Sequence, residues 1–237
     1  MLGRIFLLRI YLQEVSFSNT KCGYMYVKDY WNQIGASKHF EDPVYVHRLK
    51  PYLTLDSSIV EYGCGYGRML RILKSFGYEK LFGFDFAENM IVRGKKENPD
   101  LDLRLLEHSN RIPFEDESIG GVVMSTVLCS MVEAQEKREL ISEILRVLKR
   151  GGVLYLTDFL LCDHPSYQEK YTQGKKLYGK WGMYQSSEGL IVCHYSSSEI
   201  LDLLRSFDIQ WFEQFDFKTM NQNPARTFHC IGKKPKI

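Results

Sequence analysis

At 237 residues the chain has room for one α/β domain of ordinary size with a modest insertion. Hydrophobic content of 44% is enough to fill a core, and a net charge of +2 makes no general case for a nucleic-acid binder, which carries a strong basic face. The six cysteines lie far apart with no C-x-x-C pair, so their spacing argues against a zinc site, and a reduced, cytoplasmic compartment is the default.

In chain order, Met1 to Tyr11 is apolar, but Arg4 and Arg9 interrupt it and it is too short to span a bilayer. No typical cleavage site follows, and no membrane association is expected. Residues 1–25 are read as an extension, either an amphipathic flap or a non-native segment upstream of a start at Met25. A single domain then runs over 26–237. Residues 26 to 53 read as helical segments rich in aromatics, through Tyr30-Trp31 to Phe40 and Val44 to Leu53.

The organising stretch is Ser58-Ile-Val-Glu-Tyr-Gly-Cys-Gly-Tyr-Gly-Arg68. Ser58 to Tyr62 is short, apolar and β-branched, the mark of a buried strand. Glycines follow at 63, 65 and 67, and Met69, Leu70, Ile72, Leu73 and Phe76 then fall at helical spacing. A strand that breaks into glycines and re-emerges as a helix lets a ligand approach bare backbone and unpaired N–H groups. A tight turn without a ligand is the alternative. The run from Glu61 to Gly67, E-x-G-x-G-x-G after an apolar strand, resembles motif I of the class I S-adenosylmethionine-dependent methyltransferases.

Downstream, Leu81 to Asp85 reads as a second strand ending in an acid, with a helix opening after Phe86. The resemblance implies that Asp85 accepts hydrogen bonds from the ribose hydroxyls of the cofactor and that Phe86 packs on its adenine. Leu101 to Leu106 is the third strand. Glu107 to Asp116 resembles the family's "D-a-e-x-L-P-F-x-D" stretch, with His108 where an aspartate is usual, which leaves Ser109 or Asn110 to hold the adenine amino group. Ile119 to Thr126 is the fourth strand, and in the resemblance Val127 to Met131 lines the place of the methyl group. Gln135 to Lys149 is an amphipathic helix stopped by Gly151-Gly152, and Val153 to Asp158 is the fifth strand. Residues 159–195 interrupt the alternation with a long tyrosine-rich segment, read as a lid or substrate insertion. Ser196 to Glu199 is a capping box, and two final strands cover Ile209 to Phe217 and Arg226 to Ile231.

The fold so implied is α/β: a Rossmann-like, doubly wound, seven-stranded, mostly parallel sheet with an antiparallel last strand, an N-terminal helical cover and a lid insertion after strand 5. The implied cofactor is S-adenosyl-L-methionine. Its expected contacts are Glu61, Gly63, Cys64, Gly65, Gly67, Asp85, Phe86, Ser109, Asn110 and Thr126, with Tyr30, Trp31 and Lys38 of the cover at the methionine end. Methyl transfer needs little beyond in-line placement, so a base need not be visible. His194, at the exit of the insertion, is the best single candidate for one; His39 and His47 are weaker. The expected reaction is methylation of an O, N or S atom of a small metabolite, the lid aromatics suiting an aromatic or amine-containing acceptor. The alternatives are a non-catalytic binder of S-adenosylmethionine or a dinucleotide, and a methyltransferase acting on RNA or protein.

Overall fold

β-Branched and aromatic runs form strands that are buried on both faces, which is why they read as continuous apolar stretches rather than as alternation. In the computed structural model, which describes residues 27–40, 42–107, 111–219 and 223–236, the order begins β1 (Ile59–Tyr62), α1 (Arg68–Ser75), β2 (Leu81–Asp85), α2 (Glu88–Glu97), β3 (Asp102–Leu105), β4 (Ile119–Ser125), α3 (Ala134–Val147) and β5 (Leu148–Leu160). It ends with α4 (Pro165–Tyr178), β6 (Met183–Gln185), β7 (Ile191–Cys193), α5 (Ser197–Leu203), β8 (Asp208–Lys218) and β9 (Pro224–Lys233). The extension 1–25, Ser109 and Asn110 lie outside the described residues.

Seven strands pair in the order β3-β2-β1-β4-β5-β9-β8. The first five run parallel, and β9 runs antiparallel to both of its neighbours, β5 and β8. This is the mostly parallel sheet with an antiparallel last strand that the sequence implies. Successive residues of β1 enter opposite cores. Val60 and Tyr62 pack with Leu140, Ile141 and Ile144 of α3, and Ile59 packs with Met69, Leu70 and Leu73 of α1. Among the described residues, no helix is long and apolar enough to cross a membrane.

Three local details add to or differ from the sequence expectation. Helix α3 ends at Val147, and β5 starts at once with Leu148 paired to Ile119. The register then slips, so that Val153 pairs with Gly121. Gly151 (φ 77°) therefore serves a bulge inside the strand rather than a stop after the helix. Second, no helix joins β3 to β4 among the described residues. Third, the insertion is a folded unit: α4 and the antiparallel hairpin β6–β7 close a small core of Cys162, Tyr167, Tyr171 and Tyr184. The capping box forms as read, Glu199 N donating to Ser196 Oγ at 3.2 Å and Ser196 N to Glu199 Oε2 at 2.8 Å.

Candidate functional site

Strand order reverses between β1 and β4, and the crevice beyond their C-terminal ends is where open α/β sheets take ligands. A cavity of about 260 Å³ lies there. Its wall is made by Glu61 to Tyr66, by Phe84 to Phe86, by Ser125 to Val127, and by Val27, Trp31 and Phe40 of the cover.

The glycine turn is shaped by backbone bonds to the neighbouring strand. Gly63 N and Cys64 N both donate to Phe84 O, at 2.8 and 3.0 Å. Gly63 has φ 72°, and a Cβ there would stand 2.4 Å from Val127 Cγ2, so the close approach of the two crevice walls requires glycine. Gly65, at φ 53°, donates its N–H to Asp85 Oδ2 at 2.8 Å, and Ala87 N donates to Oδ1 at 2.8 Å. Both carboxylate oxygens of Asp85 are thus held by backbone donors. Burial pushes its carboxyl up to about 6, and the backbone N–H groups of Ala87, Gly65 and Phe86 restrain that rise.

Glu61 is buried at the end of β1, and its Oε2 has no hydrogen-bond partner among the described residues. Burial holds this carboxyl well above the usual range, against the pull of the Arg68 guanidinium. An unpaired buried carboxylate oxygen in a cavity wall marks the place of a missing donor.

The opposite wall is strained and buttressed. Thr126 has φ 54°, a costly value for a β-branched residue, and its N–H donates to Thr157 O at 2.8 Å. Beside it Ser125 Oγ is buried without a partner. The following turn, Leu128–Ser130, is gripped from below. Asp158 Oδ2 accepts from Cys129 N at 3.2 Å, Tyr195 Oη donates to Leu128 O at 2.7 Å, and Lys137 Nζ donates to Met131 O at 2.9 Å. Beyond the turn Glu133, Glu136 and Glu139 complete the wall. Burial raises the Glu136 carboxyl, and the neighbouring carboxylates add to the rise.

Of the expected cofactor contacts, Glu61, Gly63, Cys64, Gly65, Asp85, Phe86 and Thr126 come together around this cavity, and Trp31 joins them from the cover. Gly67 does not line it; at φ 87° it caps α1 and faces Leu101 and Leu103. Tyr30 and Lys38 are not in the wall either, because both bind Glu188 at the tip of the β6–β7 hairpin. His194 is not brought to the cavity. It is buried in the insertion's core, stacked on Phe159, with Nδ1 2.7 Å from Tyr171 Oη and Nε2 3.2 Å from Tyr184 Oη. Burial pulls its pKa down to about 3, so the ring is neutral and both nitrogens are engaged. The sequence reading missed Ser125, Glu133, Glu136 and Glu139. The carboxylates read as ordinary acids around a helix start, where the helix dipole accommodates them.

Sheet order, switch-point crevice and glycine turn define a Rossmann-like nucleotide-binding fold. Residues 60–156 match the family model described as "Methyltransferase domain". A solved structure, that of a SAM-dependent methyltransferase of Methanosarcina mazei, is similar over 82% of this chain and 99% of its own, with TM-score 0.75 and 25% identity. Among curated relatives, the demethylmenaquinone methyltransferase of Paenarthrobacter aurescens is 34% identical over 89 residues, 38% of this chain and 34% of its own. The tRNA N(3)-methylcytidine methyltransferase Mettl2 of Drosophila melanogaster is 26% identical over 164 residues, 65% of this chain and 49% of its own. The chain thus spans a third to a half of the length of these curated relatives. Residues 60–156 thus carry a methyltransferase domain, and the chain is similar in fold and sequence to S-adenosylmethionine-dependent methyltransferases. The residues present fit that cofactor: bare backbone at the turn, the Asp85 carboxylate in the cavity wall, and an unpartnered Glu61 oxygen suited to an ammonium.

Proposed function

We propose that the protein binds S-adenosylmethionine in the β1/β4 crevice and methylates a small acceptor that carries a basic amine. Bound there, the cofactor supplies an electrophilic methyl group on a sulfonium. Asp85 takes the ribose hydroxyls, Phe86 packs on the adenine, and Glu61 Oε2 takes the ammonium of the methionine part. Trp31, Phe40 and Val27 keep water from the sulfonium. No side chain in the wall is required as a nucleophile, because in-line placement alone contributes on the order of 7–11 kcal/mol.

The observation that carries the reading is the unpartnered Glu61 oxygen beside the bare glycine turn. The acceptor class rests on charge. The cavity wall carries Glu61, Asp85, Glu133, Glu136 and Glu139 against Arg68. After the cofactor's ammonium and sulfonium are matched, Glu133 and Glu136 still lack an ion-pair partner among the described residues, and a cationic acceptor supplies one. The same carboxylates repel a phosphate backbone, which disfavours the tRNA acceptor that the name of one relative carries.

Titration calorimetry with S-adenosylhomocysteine and with NAD tests the cofactor, and NAD binding without S-adenosylhomocysteine binding overturns it. Labelled S-adenosylmethionine with a metabolite extract and with total tRNA tests the acceptor. Label is expected in a small amine, and label confined to tRNA rejects the acceptor class. In Glu133→Gln/Glu136→Gln the acceptor KM is expected to rise about tenfold or more while S-adenosylhomocysteine affinity changes little, since hydrogen bonds to charged groups contribute roughly 1.5–3 kcal/mol each.

A further inference from the structure

Two segments far apart in sequence meet at Glu188. One is the cover, residues 27–40, which gives Trp31 and Phe40 to the cavity wall. The other is the tip of the β6–β7 hairpin, where Ser186 N donates to Leu190 O at 2.8 Å and Gly189 N to Ser186 O at 2.9 Å, holding a tight turn with Glu188 at its apex. The Glu188 carboxylate accepts the Tyr30 hydroxyl at 2.6 Å through Oε2 and pairs with the Lys38 ammonium through Oε1. The two donors hold the Glu188 carboxyl below its usual range.

On its other side the cover is tied to α2. Arg93 Nη1 donates to Ala36 O at 3.1 Å and to Lys38 O at 2.5 Å, with its guanidinium 3.9 Å from the centre of the Tyr66 ring. Phe40 stacks on the same Tyr66, whose residue lines the cavity. The cover is therefore a strap fixed at α2 and fastened at its far side to Glu188. Trp31 and Phe40 are carried by this strap, so lifting it withdraws two aromatic side chains from the cavity wall. The fastening is built to part: Lys38 and Glu188 keep 14% and 35% of their side-chain surface in solvent, so water replaces the bond as it breaks.

We propose that the bonds from Tyr30 and Lys38 to Glu188 are a clasp that joins the insertion to the cover and sets how fast ligands enter and leave the cavity. The insertion then serves as the anchor for a strap whose Lys38 lies 150 residues before Glu188. A single carboxylate serves both donors, so losing it frees the hydroxyl and the ammonium together.

The test uses the full chain with Glu188→Ala, and the double charge reversal Lys38→Glu/Glu188→Lys as the rescue. Hydrogen exchange of the ligand-free protein is read first. Residues 27–40 and 183–193 are expected to exchange about tenfold or more faster in Glu188→Ala, the loss that a charge-assisted pair implies, and to slow again in the double reversal. Stopped-flow release of S-adenosylhomocysteine is read second, with a matching rise in dissociation rate expected. Unchanged exchange in both segments, in a variant whose melting curve shows it folded, overturns the clasp. Faster exchange with an unchanged release rate overturns its role in ligand passage. If S-adenosylhomocysteine does not bind at all, the cofactor assignment falls, while the exchange result still decides whether the strap is fastened at Glu188.

Discussion

At the scale of single residues, Asp85 does two things with one carboxylate. It accepts the Gly65 and Ala87 N–H groups, which shapes the turn, and it lines the crevice. In Asp85→Asn one of those backbone donors faces an amide NH₂, so a buried N–H is left unpaired at a cost of about 1–3 kcal/mol. S-Adenosylhomocysteine affinity is expected to fall tenfold or more by calorimetry. The pH dependence tests the cause. In the proposed reading ribose hydroxyls donate to the ionised carboxylate, so wild-type affinity is expected to weaken as pH falls through about 6. In the variant that inflection vanishes; its survival assigns the titration to another group. His194 teaches the converse. A histidine near a tyrosine-rich insertion suggests proton transfer in one dimension, yet in three the tyrosines satisfy both its nitrogens. Sequence shows which groups are available, not which have already been used.

At the scale of elements, the two walls of the crevice are set by the meeting of Gly63 and Val127. Gly63→Ala places a methyl 2.4 Å from Val127 Cγ2 and forces φ 72° on a residue with a Cβ. A destabilisation of about 1–3 kcal/mol is expected by denaturant titration. Val127→Ala in the same chain removes the clash but not the dihedral cost, so it restores part of the loss. A coupling below about 0.5 kcal/mol between the two sites contradicts that contact. The strands of the main sheet, their order of appearance and the glycine turn were legible because buried parallel strands are continuous apolar runs and turn glycines have no substitute. Element ends were less so. The pair Gly151-Gly152 carries the same local signal whether it stops a helix or bulges a strand, and only the pairing of Leu148 with Ile119 decides. The acidic wall was illegible for a similar reason: Glu133 and Glu136 look like the usual acids at a helix start, and their shared view of the cavity appears only once β4 has been laid beside β1.

At the scale of the whole molecule, acid is expected to separate the insertion from the sheet. His194 has a folded pKa of about 3, below its unfolded value near 6.5, so the closed insertion binds fewer protons than the open one across that interval. Its stabilising contribution is complete above pH 6.5 and is lost as pH falls toward 3, about 2–3 kcal/mol being gone by pH 4.5. Tyr171, Tyr184, Tyr167 and Phe159 surround the ring, and the nearby Lys170 charge opposes its protonation further. The sheet responds differently. Burial lifts Asp158 to about 7 and Asp85 to about 6, so their folded forms gain protons before their unfolded forms do and are favoured as pH falls toward 4. His229, lowered to about 4, works against them. Glu61, Asp85 and Asp158, all lifted by burial, offset the one histidine in the sheet, whereas among the described residues nothing comparable offsets His194 in the insertion's small core of Cys162, Tyr167, Tyr171 and Tyr184. Hydrogen-exchange protection, corrected for intrinsic rates, is therefore expected to fall across 165–194 between pH 7 and pH 4.5 while β1, β4 and β5 stay protected. His194→Phe removes the group that titrates and should flatten the insertion's response without changing that of the sheet. Protection lost in the sheet first, or an insertion whose acid response survives His194→Phe, shows that the unit opens through some group other than His194.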